Sequence, residues 1–219
     1  MTRAGVALLV AALSSQAACH ASAPLADRAP AVSSILFLGN SLTIHGPDST
    51  IGWTGNWGMA ASAQPKDYAH VLAADFPGAT QTEVSLTSFE QNYRTFDMTS
   101  LAAMLQARPS VVVVELGDNV TDSLGFASYY SALINYVSTT SGARVLCTNT
   151  WFGSQTINAA IKSGCTGTNV QFVDLSAISA NAVNHAGSER SFSDPAVAAH
   201  PGDAGMAQIA ARLYAVLAQ

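Results

Sequence analysis

The sequence predicts an α/β protein, a three-layer α/β/α sandwich built on a five-stranded, mainly parallel sheet. Three observations lead there. Strand-like runs recur at residues 34–38, 80–86, 110–116, 143–148 and 169–175. Segments with helical spacing separate them. The runs at 34–38 and 110–116 are nearly continuous in apolar residues, as expected when both faces of a strand are covered by helices.

The elements follow in order. The first strand, SILFL at 34–38, ends abruptly in Gly39-Asn40-Ser41. A long loop rich in Gly, Trp and Ser runs from Pro47 to Gln64. Residues 67–76 read as a helix, with Tyr68, Val71, Leu72 and Phe76 near helical spacing and Pro77-Gly78 as the stop. The run at 80–86 alternates like a short strand. Glu90 and Arg94 stand at helical spacing and read as a weak i,i+4 pair. Residues 99–108 form a helix that ends before Pro109. Four consecutive valines, 111–114, mark the clearest buried strand. Helices follow at 126–137 and near 156–162, and a last helix at 203–217 has Asp203 at its start.

With 219 residues, 49% of them hydrophobic, the chain can bury a sizeable core. Charged residues make up only 11% and the net charge is -5, so no basic patch suggests a nucleic-acid partner. Arg3 followed by an apolar stretch at 4–13, too short to span a bilayer, reads as a secretory signal over residues 1–23, with small residues at Ala21-Ser22-Ala23. A Pro/Ala linker at 24–33 precedes the domain at 34–219. Gln16-Ala17-Ala18-Cys19 resembles a lipid-attachment box without its usual leucine, so membrane contact is expected only through a lipid on Cys19. The expected location is outside the cell or in the periplasm or cell envelope. There Cys147 and Cys165 would pair as a disulfide, the alternative being two buried thiols. Neither the cysteines nor the five histidines follow a metal-binding pattern, and no metal or cofactor is expected.

In sheets of this kind ligands sit beyond the carboxyl ends of the strands. Ser41 follows the first strand, Asn119 follows the valine strand, and Asp194 and His200 lie between the last strand and the last helix. A serine nucleophile needs a base for its proton and donors for the oxyanion that forms on the attacked carbonyl. Alone, Ser41 would read as a helix cap. Beside Asn119 and His200 it reads as a nucleophile.

Gly39-Asn40-Ser41-Leu42, Gly117-Asp118-Asn119 and His200-Pro201, in that order, resemble the nucleophile, third and last blocks of the SGNH or GDSL hydrolases. The run from His200 to Met206 looks like the family's entry into its final helix, and IGWTGNWGMA at 51–60 is similar to a loop in a bacterial subgroup. The resemblance covers almost all of the chain after the N-terminal segment. It implies a flavodoxin-like sheet and a serine hydrolase that cleaves carboxylic esters through an acyl-enzyme, without a cofactor. The first expectation for substrate is a small-molecule or carbohydrate ester, acetyl on a carbohydrate above all. The alternatives are a longer-chain lipase or lysophospholipase, and a non-catalytic binding module on the same fold.

The resemblance also implies roles. Ser41 is the nucleophile and His200 the general base. Ser41 N–H, Asn119 and Ser88, which falls where the second block offers a glycine N–H, make the oxyanion hole. Three departures stand out: Asn40 replaces an aspartate, Val120 replaces the last aspartate of the third block, and Val197 stands where the triad acid belongs. Asp194, six residues before His200, then reads as the triad acid, with a backbone carbonyl as the alternative partner of the ring. Trp53 and Trp57 read either as a platform for a sugar ring or acyl pocket, or as packing anchors of their loop.

Overall fold

A computed structural model describes residues 31–219 and the first methionine. The signal segment, its cleavage point, Cys19 and most of the linker lie outside the described residues. Five strands form one sheet: β1 (Ser34–Gly39), β2 (Thr80–Ser85), β3 (Val111–Glu115), β4 (Arg144–Thr148) and β5 (Val170–Val173). Their order is β2-β1-β3-β4-β5, and every neighbouring pair is parallel. The order is flavodoxin-like. The chain winds outward from β1 to β2, then returns to the far side of β1, so the topological switch point lies between β1 and β3.

The continuous apolar strands divide their side chains between two layers. Leu36, Leu38, Val112, Val114, Val145 and Cys147 face one core, and Ile35, Phe37, Val111, Val113 and Leu146 face the other. The first core is covered by α2 (Thr87–Asn92), α3 (Ala102–Gln106), α4 (Phe126–Ser141) and α5 (Gln155–Gly164). The second is covered by α1 (Tyr68–Ala74) and α8 (Asp203–Leu217), which pack on each other. β2 is an edge strand, and its alternating sequence leaves it half-exposed.

Three short helices were not expected from the sequence: α2, α6 (Ser176–Ser179) and α7 (Pro195–Ala199). The helix expected at 99–108 begins as a 3₁₀ turn, Met98–Leu101, before α3. α4 runs on to Ser141 and stops at Gly142, whose left-handed conformation (φ 68°) lets its N–H close the last turn on Ser138 O at 2.9 Å. Cys147 on β4 and Cys165 after α5 form a disulfide with Cα atoms 6.1 Å apart. Closing a loop of this length stabilises by roughly 3 kcal/mol in the chain-entropy account. Among the described residues no helix is long and apolar enough to cross a membrane.

Candidate active site

The turn after β1 is built by Asn40. Its carbonyl accepts Thr43 N–H and Ile44 N–H at 3.1 and 3.0 Å, and its Oδ1 accepts Leu42 N–H at 3.0 Å. The glycine before it is a matter of space: a Cβ on Gly39 would collide with the Thr43 hydroxyl and crowd Glu115 O. The tight turn leaves Ser41 N–H without an acceptor among the described residues, while Ser41 O accepts Met59 N–H at 2.7 Å.

Ser41 Oγ lies 2.9 Å from His200 Nε2. His200 follows α7, whose last turn is tightened. His200 N–H bonds Val197 O at 3.1 Å, three residues back, so Ala196 O is left without the N–H that regular α-helical pairing would give it. That carbonyl accepts the ring Nδ1–H instead, at 2.7 Å. The tautomer is thereby fixed, with Nε2 bare and facing Ser41. Ala186 N–H to His200 O at 2.8 Å and Gly202 N–H to Asn184 O at 2.9 Å hold the backbone on either side. His200 is only 6% exposed, and desolvation lowers its pKa to about 4, with Ala196 O and Asp194 acting upward and His45 downward.

Asp194 does not meet the ring. Its carboxylate caps α7, accepting Ala196 N–H at 2.7 Å. The expected triad acid therefore acts on the turn that carries Ala196 O, and the backbone carbonyl is the partner of His200. Val197 is buried and lines the cavity beside Ala196.

Asn119 faces the same cavity as Ser41 and His200, a hollow of about 300 Å³. Its amide Nδ2 donates to Glu90 Oε2 at 2.7 Å. One amide hydrogen is engaged there, and the second has no acceptor among the described residues. Other walls are Thr87 and Gln91 of α2, and Ile51 and Met59 of the long loop. Ser88 is exposed; Thr87, one residue earlier, is the one that reaches the cavity wall. Trp53 and Trp57 do not line it. Their rings pack edge to face at 5.6 Å, and their indole N–H groups donate to His45 O and Ala61 O, both at 3.0 Å. The packing alternative holds for both, because each indole spends its polar atom on the loop's own backbone. His45 also lines the cavity.

Sequence reasoning missed the residues beneath the site. Glu90, expected to pair with Arg94, is 1% exposed. Its Oε1 accepts Gly117 N–H at 2.5 Å and Asn40 Nδ2 at 3.1 Å, so it joins the turn after β1 to the turn after β3. Arg94 pairs with Asp122 instead, at 2.9 Å. The Asn40 amide also reaches Glu115 Oε1 at 3.3 Å and Asp118 Oδ2 at 3.4 Å, so three carboxylates converge on it. Burial raises the pKa of all three acids, Glu115 well above the usual carboxylate range, where Asp118 and Glu90 push it further. Asp118 in turn accepts Trp151 N–H and Phe152 N–H at 3.2 and 2.9 Å, fixing the loop after β4. A departure noted in the sequence, Asn40 for aspartate, did mark this cluster.

A larger hollow, about 500 Å³, opens against Ser110, Arg144 and Gln171, and no histidine or carboxylate lines it. For a metal, the described residues offer Asp67, His70 and Glu83, whose ligand-type atoms lie within 4.8 Å of one another. Here His70 Nδ1 is shared between Asp67 Oδ1 and Glu83 Oε1 at 2.9 and 3.1 Å, and none of the three lines the cavity at Ser41.

The sequence matches no protein-family model and no curated protein. The structure is similar to several solved enzymes. A two-domain esterase active on acetylated mannans, crystallised with mannopentaose, has 20% identity and a TM-score of 0.56 over 84% of this chain and 48% of that one. This chain thus spans about half the length of that enzyme. A family two carbohydrate esterase from Clostridium thermocellum, in complex with cellohexaose, has 19% identity and a TM-score of 0.54 over 86% of this chain and 64% of that one. The psychrotrophic esterase EstA from Pseudoalteromonas sp. has 16% identity and a TM-score of 0.55 over 84% and 95%. With its parallel sheet and flanking helices, the chain has the SGNH/GDSL hydrolase fold.

Proposed function

We propose that this chain is an exported serine esterase that removes small acyl groups, acetyl first among them, from a carbohydrate. One observation carries the reading: Ser41 Oγ stands 2.9 Å from a histidine nitrogen whose ring is oriented from behind by a carbonyl. Asn119 across the same small cavity supplies a donor. The similar structures support the substrate class, since they include enzymes for acetylated mannans and an acetyl xylan esterase. The N-terminal segment and the disulfide support export.

The chemistry follows from the geometry. Ser41 Oγ attacks the ester carbonyl as His200 Nε2 takes the hydroxyl proton. The carbonyl oxygen becomes an oxyanion, held by Ser41 N–H and the free amide hydrogen of Asn119. The tetrahedral adduct collapses, the bond to the alcohol oxygen breaks, and His200 returns the proton to that oxygen. Water, deprotonated by His200, then attacks the acyl-enzyme and releases the acid with Ser41 restored. Ala196 O performs one duty of a triad acid, fixing the tautomer. It stabilises the imidazolium less than a carboxylate would.

A fluorophosphonate probe tests this reading. Intact protein is expected to take up one label, and Ser41→Ala none. Labelling that survives Ser41→Ala removes the nucleophile assignment, and no labelling of intact protein leaves the non-catalytic binding module as the better account.

A further inference from the structure

Phe152 takes no part in the chemistry above, yet its ring centre lies 5.1 Å from that of His200, the planes 79° apart. It is 48% exposed. A ring of this size left half in water forgoes much of the stabilisation that burial would give. Its position is nonetheless fixed. Asp118 accepts its backbone N–H and that of Trp151. The Trp151 indole N–H donates to Ala199 O at 2.9 Å, one residue before His200. Gly153, with φ +77°, then turns the chain toward α5. A side chain held in register with the catalytic histidine and open to solvent can touch whatever is bonded to the scissile oxygen.

Beyond Phe152 the surface continues into a second hollow of about 440 Å³. Asn149, Thr150, Gln155, Asn158 and Ser176 line it with Phe152. It shares no wall residue with the cavity at Ser41, and the contacting rings of Phe152 and His200 stand between the two. Trp151 and His185 line it too, and amides and hydroxyls beside the exposed ring of Phe152 suit a ligand with one apolar face and a rim of hydroxyl groups.

Resting on the esterase reading, we propose that Phe152 and this hollow form the subsite for the alcohol half of the ester, and that the alcohol is a pyranose residue of an oligosaccharide. The acyl group occupies the Ser41 side, among Ile51, Met59 and Val197. The sugar lays its C–H face on Phe152 and turns its hydroxyls toward the side-chain amides of Gln155 and Asn158.

Wild type, Phe152→Ala and Phe152→Trp are compared on 4-nitrophenyl acetate, 4-nitrophenyl decanoate and an acetylated xylo-oligosaccharide. The ratio of kcat/KM on the oligosaccharide to that on 4-nitrophenyl acetate is expected to fall roughly tenfold in Phe152→Ala and to hold in Phe152→Trp, which keeps an aromatic face. An unchanged ratio overturns the subsite. A loss confined to the decanoate overturns it too, because the acyl chain would then lie on Phe152. Calorimetric binding of unacetylated xylohexaose to Ser41→Ala gives a readout independent of turnover. Affinity lost on adding Phe152→Ala supports the subsite, and affinity left unchanged overturns it. Should wild type cleave no ester at all, the esterase reading fails while the binding measurement still decides the subsite.

Discussion

His200 Nδ1 lies 2.7 Å from Ala196 O, four residues back along its own loop. A neutral carbonyl in this position orients the ring without lending it a full negative charge. With the His200 ring buried, the unprotonated form is favoured, and its pKa falls to about 4.

The pH dependence of catalysis follows from that shift. The base must be neutral to accept the Ser41 proton, so activity is lost as pH falls through the folded pKa. The acid limb of kcat/KM, followed by acetate release, is expected near pH 4 and not near the ordinary histidine value of about 6.5. A limb at pH 6 to 7 would mean that a charged partner reaches the ring.

Asp194 gives the complementary test. Asp194→Asn keeps an N-cap for α7 and leaves Ala196 O in place, so kcat at neutral pH is expected to stay within about threefold of wild type. Asp194→Ala is expected to lower stability by about 1 kcal/mol in denaturant titration through the lost cap. A drop on the order of 10⁴ in kcat for Asp194→Asn would identify it as a true triad acid.

Glu90 holds Asn119 through a 2.7 Å bond, so Glu90→Gln is expected to lower kcat by roughly 10- to 100-fold with little change in KM, part of what losing an oxyanion donor costs. Because the effect passes through Asn119, Glu90→Gln added to Asn119→Ala is expected to cost almost nothing further. Additive losses would show that Glu90 acts by a route other than Asn119, such as the Asn40 turn that carries Ser41.

Glu115 bears on stability. Its folded pKa is raised, so the folded state keeps a proton that the unfolded chain releases above about pH 4.3. Wild-type stability from this group is full below that pH and declines as pH rises toward the folded pKa, by at most about 1.4 kcal/mol per pH unit. Glu115→Gln cannot titrate. Relative to wild type, its melting temperature is expected to rise as pH climbs above the ordinary glutamate range, and a pH-independent difference would contradict the raised pKa.

The strands were legible because their chemistry is local. Val111 to Val114 can hardly be anything but a strand covered on both faces, and Ser41, Asn119 and His200 could be placed at strand ends by counting along the chain. What escaped depends on tertiary neighbours. α2 and α7 are too short for periodicity to register. Glu90 lies four residues before Arg94, a spacing that suggests a pair between them, and nothing local reports that N–H groups from the turns after β1 and β3 point at it. The aromatic loop draws the eye for the opposite reason: Trp53 and Trp57 are conspicuous in sequence, whereas the exposed ring beside His200 is Phe152 in an ordinary-looking segment.

The Asn40 amide also constrains how this sequence can drift. With acids at 90, 115 and 118 around it, aspartate at position 40 would bring a fourth carboxylate into a space where none of the other three is well hydrated. The single change Asn40→Asp is therefore uphill in this background. Only a lineage that first neutralised one of the surrounding acids could accept it, so position 40 and its three neighbours form one epistatic unit.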